Sequence, residues 1–158
     1  MNNPEYVACG NSVVIGDNSL LLCWDEYKGI HYSPEIYIGD NFNATRHLTI
    51  QCVNKVHIGK DVLCASDVFI IDYNYGTNPL TGNYLDNPLF SRGGVYIDDG
   101  AWIGNNVIIL QDVHIGKKVI IGAGSVVTKN IPDYSIVVGN PAKVIKRYNH
   151  DSGVWEQI

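Results

Sequence analysis

Apolar and polar positions follow one another along this chain with a period of six residues. From Ile97 the sequence divides into the blocks IDDGAW, IGNNVI, ILQDVH, IGKKVI, IGAGSV and VTKNIP. The first position of each block is aliphatic, and the fifth is small or β-branched in most of them. An α-helix would place apolar residues three and four apart, and a half-buried strand would alternate strictly. The period of six therefore indicates a short strand followed by a corner.

Three such blocks close one triangular coil, so residues eighteen apart should stack on the same face. Gly, Asn and Asp suit the corners because they tolerate left-handed backbone dihedrals. The same period appears upstream in IGKDVL, CASDVF and a block opening at Ile70, which are in phase with one another, and fainter copies open at Ile15 and Ile38. Stacked coils bury a continuous core that no single block could bury. The pattern predicts an all-β, parallel β-helix in one domain, residues 1–158.

The repeat is interrupted twice. Ile70 and Ile97 are 27 residues apart, not a multiple of six, and the intervening segment of about residues 72–94 is rich in Tyr, Asn, Gly and Pro. We expect a protruding loop there, which carries function, embraces a neighbouring subunit, or does both. Residues 24–34 also break the spacing and form either a rim over a sugar-sized pocket or a bulge. After Pro132 we expect the coil to end in a short C-terminal tail, about residues 132–158.

Composition narrows the class of function. Apolar residues make up 46% of the chain and charged residues 17%, which supports a folded core. The net charge of -5 disfavours a nucleic-acid or anionic-membrane surface. We find no signal-peptide pattern and no apolar run of the roughly 18 residues that span a bilayer, so we predict a cytoplasmic protein. The four cysteines include no CxxC pair, which predicts reduced, mostly buried thiols and no zinc site.

The segment IGNNVIILQDVHIGKKVIIGAGSVVTKNIPDYSIVVGNPAKVIKR resembles the C-terminal half of hexapeptide-repeat acyltransferases. Within that superfamily it is most similar to sugar and polysaccharide O-acetyltransferases, over roughly residues 36–147. The resemblance implies a left-handed β-helix, a homotrimer and an acetyl-CoA site between adjacent subunits. It also implies direct transfer of the acetyl group to a hydroxyl of a sugar or cell-surface glycan.

The same resemblance implies a cofactor-binding set along the C-terminal blocks: Trp102, Gly104, Asn105, Ala123, Thr128, Lys129, Lys143 and Lys146. Ala123 matches a position beside the pantetheine arm, where a small side chain is suitable. Lys143 and Lys146 match residues that meet the CoA phosphates, and lysines serve well as compact charges for such groups. The alternative for these two lysines is an ordinary solvated tail.

The catalytic histidine of the resembled enzymes is absent. It normally lies in a DHxH-like segment entering the loop, and here that segment is Asp72-Tyr73-Asn74-Tyr75-Gly76. Tyr73 and Tyr75 therefore occupy the expected catalytic positions, and Asp72 could orient a tyrosine hydroxyl or contact the substrate. An unperturbed Tyr has a pKa of about 10, against about 6.5 for His. Loss of the base could therefore remove most of a contribution of about 10²–10⁴-fold.

His47 is the best candidate for a displaced base. It lies two residues after Thr45, where the resembled enzymes place an Asn that orients the acceptor, and an extended strand would put both on one side. His57 and His114 fall within repeat blocks, where an outward surface position is expected. The alternative for His47 is a side chain that is simply exposed.

Three functions remain open from the sequence. The leading hypothesis is an acetyl-CoA-dependent O-acetyltransferase with a rearranged base, because the CoA-facing half is intact. The second is a catalytically inactive, CoA-binding trimeric scaffold or partner subunit. The third is a γ-type carbonic anhydrase, which shares the coil and needs three histidines around a metal. The blocks IGNNVI and IGKKVI lack those histidines, so we predict no metal.

Overall fold

The computed structural model of the protein describes residues 2–158. Within them, 3-10 helices span Pro4–Tyr6 and Tyr84–Asp86. The strands up to the long loop are β1 (Val7–Cys9), β2 (Val14–Ile15), β3 (Leu20–Cys23), β4 (Glu26–Tyr27), β5 (Ile30–His31), β6 (Glu35–Ile38), β7 (Asn43–Ala44), β8 (Thr49–Cys52), β9 (Lys55–Ile58), β10 (Leu63–Cys64) and β11 (Phe69–Ile71). The remaining strands are β12 (Asn74–Tyr75), β13 (Leu89–Phe90), β14 (Val95–Ile97), β15 (Trp102–Ile103), β16 (Ile108–Ile109), β17 (Val113–Ile115), β18 (Ile120–Ile121), β19 (Val126–Val127), β20 (Ser135–Val138), β21 (Lys143–Asn149) and β22 (Val154–Gln157).

Three parallel sheets form the three faces of a prism. The first face has the strand order β1-β6-β9-β14-β17, and the third face has the order β3-β8-β11-β16-β19. The second face begins β2-β7-β10-β15-β18-β20. The strands of these sheets lie on successive faces along the chain, and each pairs with the strand one coil later. The antiparallel hairpins β4–β5 and β12–β13 lie outside the three faces. The predicted fold class, a left-handed parallel β-helix, is confirmed.

The aliphatic positions of the repeat form the core. The predicted first positions of the six blocks are all at most 2% exposed: Ile97, Ile103, Ile109, Ile115, Ile121 and Val127. The predicted fifth positions, among them Val107, Val113 and Val119, are buried as well. Residues eighteen apart stack on one face, as Ile97 does on Ile115. Each fully buried isoleucine contributes about 1.5–3 kcal/mol, so a single file of these side chains holds adjacent coils together.

The coils differ in length, and the extra residues all leave from one corner. Paired residues are 39 apart across the long loop (Ile58 and Ile97) and 29 apart across the early interruption (Cys9 and Ile38). Within each coil, however, the inward residues of the first, second and third faces stay six apart, as in Ile97, Ile103 and Ile109. Both interruptions therefore join the third face to the first. We call this corner the loop edge, and it comprises residues 24–34, 53–54, 72–94, 110–112 and 128–130.

The two interruptions pack against each other over the loop edge. β4 and β5 form a hairpin, and the Tyr32 hydroxyl donates to the carbonyl of Leu89 at 3.1 Å and accepts its N–H at 3.0 Å. Tyr27 donates to the carbonyl of Leu85 at 2.7 Å. Val53, Tyr73 and Leu89 form a small second core beneath them. The early interruption is therefore a support for the long loop.

The second face joins the third at a corner that we call the groove edge, residues 16–19, 45–48, 65–68, 104–107 and 122–125. One residue in each turn has a left-handed backbone: Asn18 (φ 56), His47 (φ 53), Asp67 (φ 62), Asn106 (φ 56) and Gly124 (φ 72). Short polar side chains and glycine tolerate this conformation best. His47 thus lies in a turn, and the expectation that it shares one side of an extended strand with Thr45 is wrong.

The chain beyond Pro132 stays on the prism. β20 pairs in parallel with β18, and β21 and β22 add to the same sheet as antiparallel strands. Pro132 falls at a corner, where its missing N–H breaks no strand pairing, and Ser135 and Val137 point into the core. The coil therefore continues to Val138, and the expected tail is a two-stranded extension of the second face.

Asp72 is fully buried and holds the loop edge together. Its carboxylate accepts the backbone N–H of Val53 at 2.9 Å, of Asn54 at 2.9 Å and of Lys55 at 2.6 Å. Burial raises the pKa of the Asp72 carboxyl, while the three backbone donors oppose that change. An acceptor shared by three consecutive backbone donors fixes the turn one coil below.

We expect Asp72→Ala to lower the free energy of unfolding by about 3 kcal/mol or more, because three N–H groups lose their acceptor. Asp99 is a graded control, since it accepts one backbone N–H, that of Lys60, at 3.0 Å. Asp99→Ala should cost about 1 kcal/mol. Urea unfolding at one fixed protein concentration measures both, and equal losses would contradict this role for Asp72.

Candidate functional site

A shallow, mostly apolar groove with a volume of about 350 Å³ follows the groove edge across three coils. Its lining residues are Ala65, Trp102, Gly104, Asn105, Ile120, Ile121, Gly122 and Ala123. Four residues of the predicted cofactor-binding set, Trp102, Gly104, Asn105 and Ala123, therefore lie together. Ala65, which the register of β10 with β15 brings beside them, was not predicted from the sequence.

Small residues keep this groove open. A Cβ on Gly104 would lie 2.8 Å from the backbone nitrogen of Ala123, so the next coil requires glycine there. A Cβ on Gly122 would lie 2.7 Å from Cγ1 of Val138. Ala123 is exposed and adds one methyl group to the floor, and Trp102 is 51% exposed beside it. The result is an apolar trough with accessible backbone.

The two predicted lysines lie on the C-terminal side of the groove. Trp102, Ile120, Ile136 and Lys146 are aligned on four adjacent strands of the second face. At about 4.8 Å per strand, Lys146 is about 14 Å from Trp102 along the sheet. Lys143 pairs with Val138, next to Gly122. Both positive charges thus lie past one end of the apolar trough.

Thr128 and Lys129 lie elsewhere on the chain. They follow β19 at the loop edge and are exposed. The width of the third face separates them from the groove in the same chain. The structure thus divides the predicted cofactor-binding set between two edges of the prism.

Thr45 and His47 lie on the N-terminal side of the groove. The N–H of Thr45 donates to the carbonyl of Cys64 at 3.1 Å, so Thr45 stacks beside Ala65. His47 is exposed, and its Nδ1 lies 2.9 Å from Oδ1 of Asp67, while its Nε2 lies 3.4 Å from Nδ2 of Asn18. Asp67 and Asn18 were missed in the sequence. Their corner positions in the repeat were the one signal that could have found them.

Tyr73 and Tyr75 both lie at the loop edge. Tyr73 is buried, its hydroxyl donates to Oε1 of Gln51 at 2.8 Å, and burial raises its pKa to about 12. Tyr73 is therefore protonated at neutral pH and is not available as a general base. Tyr75 is 41% exposed and lines a cavity of about 600 Å³ under the loop with Phe90, Arg92 and others. Asp72, predicted to contact substrate, has no exposed atom that could do so.

The other candidate groups lie outside this site. His57 and His114 are on the outer surface of the first face, His57 between Tyr37 and Tyr96 and His114 on the far side of Tyr96. Cys23, Cys52 and Cys64 are buried free thiols, and burial raises the pKa of Cys23 to about 11. In residues 2–158, no group of three His, Cys, Asp or Glu side chains is arranged to hold a metal ion. The described part of the chain also contains no helix long and apolar enough to cross a membrane.

Tyr73 gives a prediction about pH. Unfolded tyrosine ionises near pH 10, below the pKa of about 12 in the folded chain. Between these values the folded chain keeps a proton that the unfolded chain releases, so the free energy of unfolding falls as pH rises. Above about pH 10 the free energy of unfolding of the wild type should therefore decline more steeply with pH than that of Tyr73→Phe. The buried thiols should contribute equally in both proteins. If urea titrations give the same pH dependence of the free energy of unfolding for both, a contribution from Tyr73 is excluded.

Two sequence comparisons bear on the family. The model of the bacterial transferase hexapeptide family (six repeats) matches residues 94–129. The chain is also 37% identical, over 164 residues, to WbbJ of Escherichia coli (strain K12), named as an O-acetyl transferase of lipopolysaccharide biosynthesis. That alignment covers 98% of this chain and 81% of WbbJ.

Two solved structures agree. A maltose O-acetyltransferase from Clostridium difficile 630 superposes with a TM-score of 0.74 at 32% identity, covering 92% of this chain and 72% of that one. A galactoside acetyltransferase in complex with coenzyme A gives a TM-score of 0.65 at 32% identity, covering 88% of this chain and 66% of that one. With the repeat, the prism and the groove, these similarities confirm the predicted resemblance: the chain belongs to the hexapeptide-repeat acetyltransferases.

Proposed function

We propose that this protein transfers an acetyl group from acetyl-CoA directly to a hydroxyl of a sugar or cell-surface glycan. One observation carries the proposal. A single apolar groove has lysines beyond one end and a histidine and a threonine beyond the other. That order matches an acyl donor with a charged nucleotide at one end, an apolar arm in the middle and a reactive thioester at the other end.

The dimensions of the groove support CoA as the ligand. From β21, which carries Lys143 and Lys146, to β10, which ends beside Ala65, there are four strand spacings. At about 4.8 Å each they span about 19 Å, comparable with an extended phosphopantetheine arm. The apolar floor suits the arm, and the lysines suit the phosphates. The galactoside acetyltransferase structure that binds coenzyme A shares this fold at 32% identity.

The acetyl end of such a donor would lie near Ala65, one coil from Thr45 and His47. Acetyl transfer needs a base for the acceptor hydroxyl and donors for the developing oxyanion. His47 is exposed at this end, and histidine is the side chain that acts most often as a general base, whereas Tyr73 is buried and protonated. We therefore assign the role of base to His47 and a role in orienting the acceptor to Thr45.

A homotrimer would reunite the divided cofactor-binding set. The outer surface of the third face is apolar, with half-buried Phe69, Ile108 and Val126, and Leu20 is 46% exposed on the same face. Three chains that turn this face toward a common axis would set each groove edge against the loop edge of a neighbour. Thr128, Lys129 and Tyr75 of one subunit would then approach the groove of the next. The cavity beside Tyr75 would be available for the sugar acceptor.

The absence of histidine from the loop supports a second candidate function, an inactive CoA-binding scaffold. Both candidates predict that acetyl-CoA binds, and they differ in turnover. We favour the enzyme because the chain retains an exposed, oriented histidine at the thioester end of the groove.

Acetyl-CoA should bind in calorimetry, and CoA should be released when nucleotide sugars and oligosaccharides are supplied as acceptors. Ala123→Phe should weaken binding at least about tenfold, or about 1.4 kcal/mol, by filling the groove. Ala8→Phe is the matched control, since Ala8 is exposed on the first face, away from the groove. Binding without release of CoA would favour the scaffold, and absence of binding would refute both candidates.

The trimer predicts a particle of three times the chain mass of 17.5 kDa in light scattering after gel filtration. Phe69→Glu should dissociate it, because a charge on the apolar third face would be buried without a partner. Tyr96→Glu, on the first face, should leave the mass unchanged. A monomeric wild-type protein at micromolar concentration would refute the trimer.

A further inference from the structure

We propose that Asp67 is a positioning residue that holds His47 in the tautomer required of a general base. The inference rests on the proposed function, since it concerns the same reaction. It extends that function to a residue that lines no part of the groove.

The two partners of His47 determine which ring nitrogen carries the proton. A carboxylate only accepts hydrogen bonds and an amide nitrogen only donates them. Oδ1 of Asp67 lies 2.9 Å from Nδ1, so Nδ1 donates. Nδ2 of Asn18 lies 3.4 Å from Nε2, so Nε2 accepts. The neutral ring thus carries its proton on Nδ1 and exposes its lone pair at Nε2. The longer contact to Asn18 leaves Nε2 open to a better donor, the acceptor hydroxyl.

The coil itself fixes this arrangement. Asn18, His47 and Asp67 occupy equivalent corners of three adjacent coils and share the left-handed backbone conformation, with φ of 56, 53 and 62. The N–H of His47 donates to the carbonyl of Asp17 at 2.9 Å, and the N–H of Asp67 donates to that of Arg46 at 3.2 Å. The backbone of each partner is thereby held at the spacing that brings the side chains into contact. A base built on a rigid scaffold needs little reorganisation before it acts.

The step balances without any further reactant. Nε2 of His47 takes the proton of the acceptor hydroxyl while that oxygen forms a bond to the acetyl carbon. The bond from this carbon to the CoA sulfur then breaks, and the leaving thiolate takes the proton back from Nε2. The products are the acetyl ester and CoA thiol. Asp67 stabilises the transient imidazolium by its charge and takes no proton itself.

The chain contains a matched control pair. Nε2 of His114 lies 3.0 Å from Oδ2 of Asp98, again in adjacent coils, with His114 exposed and Asp98 half-buried. This pair is on the first face, away from the groove. A general effect of losing a surface ion pair would therefore appear in both pairs, whereas a catalytic effect would appear only at Asp67.

Steady-state kinetics test the proposal. Asp67→Asn retains the size of the side chain and its tolerance of a left-handed backbone, and it should lower kcat at least about tenfold by removing the charge. The KM for acetyl-CoA should stay within about twofold, because Asp67 does not line the groove. Asp98→Asn should leave both constants unchanged. A kcat for Asp67→Asn within about twofold of the wild type would overturn the proposal.

Nitrogen-15 NMR of histidine-labelled protein gives a readout that is independent of turnover. His47, identified by the loss of its signals in His47→Ala, should show the Nδ1–H tautomer in the wild type and lose that preference in Asp67→Asn. The tautomer of His114 should respond only to Asp98→Asn. If the wild type releases no CoA with any acceptor, the proposed function fails, and the spectra still decide whether Asp67 selects the tautomer. An Nε2–H tautomer in the wild type would exclude the positioning role.

Discussion

The parallel hydrogen bonds between successive coils determine every other feature of this molecule. They require that the three faces stay in register, and a file of buried, mostly aliphatic side chains along the inside of each face keeps that register. A slip by one residue would turn the apolar positions outward. Consequently only the corners are free to vary, and they vary by insertion at one edge and by residue type at another.

The division of labour between edges follows from this constraint. Insertions of very different length are located at the loop edge, because a coil can lengthen there without disturbing the six-residue spacing of the inward side chains on its faces. Asp72 then stabilises that edge by accepting three backbone N–H groups. The groove edge has no insertion, so its turns stack directly, and small residues such as Gly104 and Ala123 expose the backbone between them. Insertions are thus confined to the loop edge, and directly stacked turns form the groove edge.

The fold was predictable because the apolar residues that form its core recur every six positions in the sequence. Ile97, Ile103 and Ile109 identify their own faces by spacing alone, and the resemblance of the C-terminal blocks supplied the groove residues. Other features depend on contacts that spacing does not encode. Burial of Tyr73 depends on Val53 and Leu89 from other turns, and the pairing of His47 with Asp67 depends on a coil of 20 rather than 18 residues. The strands after Pro132 were missed because a proline at a corner does not end a coil.

The position of His47 links the fold to the proposed chemistry. A left-handed corner accepts few residue types, and histidine is one of the side chains, with Asn and Asp, that occur there more often than others. A histidine substituted into this turn therefore keeps the coil intact, and the equivalent corners on either side supply Asp67 and Asn18 without further change to the backbone. A tyrosine at position 73, in contrast, is retained by packing beneath the loop. The proposed base therefore lies not at the loop edge but at the groove edge, where stacking places polar side chains in line one coil apart.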